Sequence, residues 1–179
     1  MIENLEDVIL FAADAHKEQK MFEPDVPYIT HVFGVASNVL EAYHNGEEKF
    51  DLDYALKVAI LHDTIEDTDV CYGMLAEKYG DEVALGVQAL SKNPSIEKSD
   101  RMKDCMVRIK ECRKEVAIVK LADRVFNMRC APASWNDEKL QKYLDEAQMI
   151  CDELGSANKY LKEKLDNRMN SYIKSRCAR

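Results

Sequence analysis

Apolar residues recur along this chain at helical spacing, as in Leu5, Val8, Ile9, Ala12 and Ala13, the rhythm of threes and fours that lines one face of a helix. The pattern predicts helices over about 4–20, 30–44, 51–68, 72–79, 81–91, 99–112, 115–130, 137–153 and 156–175. No segment alternates with period two for long enough to define a strand. The β-prone residues 116–119 run on into LADRVFNM, whose spacing is again helical. The breaks have local causes. Pro24 and Pro27 stop any helix coming from His16 and hold MFEPDVP as a loop. Asp51 is placed to cap the helix after it, Gly80-Asp81 reads as a stop followed by a cap, and Asn93-Pro94-Ser95 and residues 131–134 mark loops. With no repeat or linker, the expectation is an all-α fold, a single compact helical domain over 1–179.

Polar residues set into these apolar helices carry the candidate chemistry. In ALKVAILHDTIEDT, residues 58–61 are apolar on every face, and the helix then presents His62, Asp63, Glu66 and Asp67 within six residues. Four ionisable groups at the end of a buried helix are costly unless something binds them, and a divalent cation would do so. A solvated acidic helix end gives the same pattern. In EVAIVKLADRVFNMRCA, Lys120, Asp123 and Asn127 form a stripe at i, i+3 and i+7, which also describes an exposed helix face. His31, in VPYITHVFGVA, is either a third polar group of a site or a satisfied core histidine. Taken together, two imidazoles and two carboxylates make a nitrogen–oxygen donor set without sulfur. Such a set suits an octahedral manganese, iron or magnesium ion better than structural zinc. Glu66 and Asp67 would stand beside that ion as general acid/base or water-orienting groups.

Charge and composition narrow the classes. The formal net charge is −8 and no Lys/Arg cluster stands clear of acidic neighbours, which argues against polymeric nucleic acid and leaves room for a small phosphorylated ligand. No apolar run approaches membrane length. Acidic residues near the N-terminus sit where a signal peptide would carry basic ones, so a cytoplasmic protein is expected. The six cysteines are irregularly spaced with no CxxC pair, and are expected to be free thiols.

A first His, a His-Asp doublet and a later Asp, in this order, resemble the HD superfamily. The stretches AHKEQ, PYITHVFGVA, AILHDTIEDT, EKYGDEVALGVQALSK and KLADRVFNMR are similar to the hydrolase domain of RelA/SpoT homologues. By length the stand-alone small alarmone hydrolases fit best. The resemblance covers residues 11–165 or so. It implies the HD helical fold and a Mn²⁺-dependent enzyme, another divalent metal also being possible. That enzyme would remove the 3′-pyrophosphate from guanosine tetra- or pentaphosphate. His31, His62, Asp63 and Asp123 would be the ligands and Glu66 and Asp67 the catalytic pair, with Asn127 ordering the metal water or the ribose side. SWNDEKLQKYLDEA is similar to the segment that would bring Lys139 and Tyr143 to the nucleotide.

The chain departs from the family pattern in three places. Met21-Phe22 stand where basic residues usually contact the guanine, and they offer only apolar contact there. Val32 replaces a usual proline, and Phe126 stands where bacterial members often have His. Two rival readings follow. One is a related phosphohydrolase acting on adenine alarmones, NADPH or deoxynucleotides; the other is a non-catalytic nucleotide-binding module. Oligomeric state is not readable from the sequence.

Overall fold

A computed structural model describes residues 4–21 and 25–172. In chain order the helices are α1 (Leu5–Ala15), α2 (Ile29–Asn45), α3 (Leu52–Leu61), α4 (Thr64–Asp67), α5 (Tyr72–Tyr79), α6 (Asp81–Leu90), α7 (Arg101–Glu111), α8 (Lys114–Asn127), α9 (Asp137–Leu154) and α10 (Lys159–Tyr172). A short 3-10 turn, Gly155–Ala157, precedes the last of them. Among the described residues there is no strand. An isolated antiparallel bridge, Lys20 to Pro27, closes the loop that the two prolines predict.

Three helices make the centre. α2 packs on both α3 and α8, and α3 packs on α8. Around them α1 covers α3, α6 leans on α3 with α5 and α7 beside it, and α9 and α10 close over α8. Helix α8 is buried on nearly every face, from Glu115 through Val125. Burial therefore overrides the β-preference of Val116, Ile118 and Val119, as tertiary context commonly does. Each fully buried Val, Ile or Leu contributes roughly 1.5–3 kcal/mol, so the apolar majority of α8 can carry Lys120 and Asp123 inward. Both are only 7% exposed. The stripe that also described an exposed helix face is thus an interior one.

The ends of the elements differ from the sequence pattern in informative ways. The Asp51 carboxylate accepts the Tyr54 N–H at 3.1 Å and caps α3 as expected. Gly80, with φ 89°, both ends α5 and precedes α6, so Asp81 is the first helical residue rather than a cap. The single helix predicted over 51–68 is two, broken at His62-Asp63. Asp63 sits at φ −100° and ψ −3°, in the bridge region of the backbone map. The Thr64 hydroxyl donates to the Leu61 carbonyl at 2.7 Å, satisfying a group that the break leaves open.

Gly34 sets how closely α2 approaches α8. A Cβ there would lie 1.7 Å from Cε2 of Phe126, so only glycine admits that ring. Asn38 joins the same two helices by donating to the Ala122 carbonyl at 3.1 Å, one residue before Asp123. No helix among the described residues is long and apolar enough to cross a membrane. Cys71, Cys105, Cys112 and Cys151 are free, but Cys130 is disulfide-bonded. The expectation of six free thiols therefore fails, since chain spacing carries no record of which sulfurs meet in space.

Candidate metal centre

Three separate chain segments deliver the central side chains. His31 lies in the first turn of α2, His62 and Asp63 lie at the break between α3 and α4, and Asp123 lies in the buried part of α8. On an unbroken helix His62 and Asp63 would diverge by about 100°. At the break they converge instead. Asp63 Oδ2 is 2.9 Å from His62 Nε2 and 3.2 Å from His31 Nε2. The two Nε2 atoms are 3.0 Å apart. One donor atom each from His31, His62 and Asp63 lie within 4.8 Å of one another. Asp123 Oδ1 approaches His31 Nε2 at 3.5 Å and His62 Nε2 at 3.9 Å.

The surroundings show what this group wants at its centre. His62 Nδ1 donates to the Ala59 carbonyl at 2.8 Å, which turns Nε2 inward, the nitrogen that would bind a cation. Imidazole nitrogens face to face beside two carboxylates repel unless positive charge lies among them. Burial opposes charging His62, yet Asp63 and Asp123 outweigh it and push its pKa up to about 9. Burial likewise opposes ionising Asp63, but the two imidazoles hold it well below the usual carboxylate range. Asp123 is lowered too, with Lys120 and the histidines overcoming its burial. A divalent cation would meet this demand, and the nitrogen–oxygen donor set fits such an ion.

Each carboxylate also has its own support. Tyr28 donates to Asp63 Oδ2 at 2.5 Å and lies 3.4 Å from Asp67 Oδ2. Lys120 Nζ donates to Asp123 Oδ2 at 3.1 Å, and Asn127 Nδ2 donates to Asp123 Oδ1 at 2.5 Å. Asn127 therefore orients this carboxylate.

Glu66 and Asp67 part company. Glu66 is held by Lys92, whose backbone N–H and ammonium donate to its two oxygens at 2.8 and 2.9 Å. Asp67 faces Tyr28, and the Gln19 side-chain amide donates to its backbone carbonyl. Burial, then the charges of Asp63 and Glu66, raise the Asp67 pKa. Lys139 is exposed with its ammonium 4.3 Å from the Trp135 ring, and Tyr143 packs edge-on to Trp135 under the Arg124 guanidinium. Burial raises the Tyr143 pKa, with the Arg124 charge opposing it. Arg124 is buried, stacked on Tyr143 and 3.6 Å from Glu146, which is a structural placement. Met21 is half-buried, its N–H donating to the Val26 carbonyl at 2.9 Å; Phe22 lies outside the described residues.

Sequence reasoning missed Tyr28 and Lys92. Tyr28 precedes His31 by three residues, one helical turn, and that spacing could have found it. Lys92 is 26 residues from Glu66, with no local signal. A cavity of about 730 Å³ between α3, α6 and α7 is lined by Ile65, Leu85, Lys92, Arg108 and Arg113 among others, and none of the four central residues lines it.

Comparison with known proteins places the chain in a family. The HD domain family model matches residues 9–159. A zebrafish (Danio rerio) protein named guanosine-3′,5′-bis(diphosphate) 3′-pyrophosphohydrolase MESH1 is 34% identical over 164 residues, covering 89% of this chain and 88% of its own. Its human namesake is 29% identical over 160 residues, 87% of each chain. The solved structure of a metazoan orthologue of SpoT that hydrolyses ppGpp superposes with a TM-score of 0.81 at 26% identity, covering 94% of this chain and 95% of that one. All-helical among its described residues and matched by that family model over most of its length, the chain belongs to the HD domain family.

Proposed function

We propose that this protein is a metal-dependent phosphohydrolase that removes the 3′-pyrophosphate of guanosine tetra- and pentaphosphate, yielding GDP or GTP and pyrophosphate. The observation that carries the reading is the cluster of His31, His62 and Asp63, with Asp123 Oδ1 3.5 Å from His31 and 3.9 Å from His62. The reaction named for the zebrafish and human relatives, which span nearly the whole chain, supports the choice of substrate.

His31, His62, Asp63 and Asp123 would hold a divalent ion, for which Mn²⁺ is the choice. Such an ion polarises a phosphoryl oxygen and lowers the pKa of bound water. The residues around it do the rest. Lys120 and Asn127 keep Asp123 turned inward. Hydrolysis adds water across the bond between phosphorus and the ribose 3′-oxygen: hydroxide joins phosphorus and a proton goes to the departing oxygen. Asp67, whose pKa is raised by burial and then by the charges of Asp63 and Glu66, would be the acid that gives that oxygen its proton. Glu66, fixed by Lys92, orients the incoming water. Met21 would border the base, with Lys139 and Tyr143 toward the rest of the nucleotide. A nucleotide substrate of this kind supports a cytoplasmic location.

Purified protein with Mn²⁺ should release pyrophosphate from ppGpp, and Asp63→Ala should abolish release. No turnover of any 3′-phosphorylated nucleotide would sink the proposal. A second reading keeps the chemistry and changes the base, because Met21 supplies no guanidinium to recognise guanine. A panel of guanine and adenine 3′-pyrophosphates with NADPH and deoxynucleotides decides it, and a clear guanine preference would count against this reading.

A further inference from the structure

We infer that Tyr28 is a positioning residue of this centre, its hydroxyl fixing the Asp63 carboxylate and keeping Asp67 in register with it. The inference rests on the proposed reaction for its kinetic consequence only.

The chain holds Tyr28 unusually firmly. It stands at the start of α2, where its N–H donates to the Gln19 carbonyl at 3.0 Å and its carbonyl accepts the His31 N–H at 2.8 Å. Its ring lies between two imidazoles, with centroids 4.9 Å from His16 and 5.2 Å from His31. With backbone and ring both fixed, the hydroxyl has one place to be. That place is 2.5 Å from Asp63 Oδ2, the same oxygen that meets both histidines. The terminal torsion of an aspartate is broad and soft. One fixed donor on Oδ2 selects which oxygen faces the imidazoles and holds it there.

The second carboxylate completes the argument. The Tyr28 hydroxyl donates to Asp63 Oδ2 and also faces Asp67 Oδ2 at 3.4 Å, so one fixed group spans both carboxylates. Gln19, whose backbone pairs with that of Tyr28, holds the other end of Asp67 through its carbonyl.

Tyr28→Phe tests this on the full-length protein, because it keeps the ring between His16 and His31 and deletes the hydroxyl alone. Outer hydrogen-bond partners of metal ligands typically account for about 10–100-fold in affinity. Calorimetric titration with Mn²⁺ should show a loss of that size, with a circular-dichroism melt in chelator close to wild type. In saturating metal, kcat should fall while KM holds. Mn²⁺ affinity within twofold of wild type would overturn the inference. Should Tyr28→Phe prove too unstable to purify, Tyr28→Met is titrated against the same criterion. A wild type that binds Mn²⁺ yet hydrolyses no nucleotide overturns the proposed reaction, and the calorimetry still decides on Tyr28. A wild type that binds no divalent ion overturns both.

Discussion

Lys120→Met removes the buried cation beside Asp123 while keeping an unbranched side chain to fill its space. Lys120 and Asp123 are 3.1 Å apart, with side chains 9% and 10% exposed, so water can replace little of the lost charge. Breaking a buried pair by removing one partner costs about 3–5 kcal/mol. His62, with its pKa pushed up to about 9, remains 3.9 Å from Asp123 and supplies part of the missing charge. The loss should therefore sit at the lower end, about 3 kcal/mol in metal-free protein. For a chain of this length each kcal/mol moves the Tm by about 2–4 °C, giving a fall of about 6–12 °C. A bound divalent ion restores positive charge beside Asp123, so the deficit should shrink with saturating Mn²⁺. Melts followed by circular dichroism in chelator and in Mn²⁺ measure both. An unchanged Tm in chelator, or a deficit that metal leaves untouched, refutes the idea that Lys120 balances the charge of this centre.

Two further outcomes follow from the same geometry. The folded His62 has a pKa of about 9, above its ordinary 6.5, so its contribution to stability is complete below about pH 6.5 and is lost as pH rises through about 9. Metal-free protein should melt progressively lower over that window. Metal-loaded protein, where the ion displaces that proton, should not, and parallel pH series of melts would expose identical slopes. Gly34→Ala would place a methyl group 1.7 Å from the Phe126 ring, which packs 5.2 Å from His31. Overpacking of this kind costs about 1–3 kcal/mol, and Mn²⁺ affinity should fall with stability; a variant with both unchanged would show that the ring moves aside freely.

Much of the fold is legible from local pattern. Apolar spacing predicts every major helix, and Asp51 caps α3 as its position implies. Spacing also isolates the residues that could carry chemistry, because a His-Asp doublet at the end of an apolar run is conspicuous without coordinates. What pattern leaves open is exposure and convergence. The Lys120–Asp123–Asn127 stripe fits a solvated face as well as an interior one, since helical periodicity says which residues share a face and not what that face meets. Only the enclosure of α8 by its neighbours buries it. The break at His62-Asp63 is likewise unreadable, because the segment keeps helical spacing through it, and the bonding of Glu66 to Lys92 depends on a residue in the loop after α6. The sequence by itself determined the helices and the inventory of imidazoles and carboxylates, both being matters of local propensity and composition. Tertiary structure alone decided that His31, His62 and Asp63 cluster with Asp123 beside them, and that Tyr28 and Lys120 bond to the two carboxylates. Those contacts depend on distances between helices, which no pattern along a single chain records.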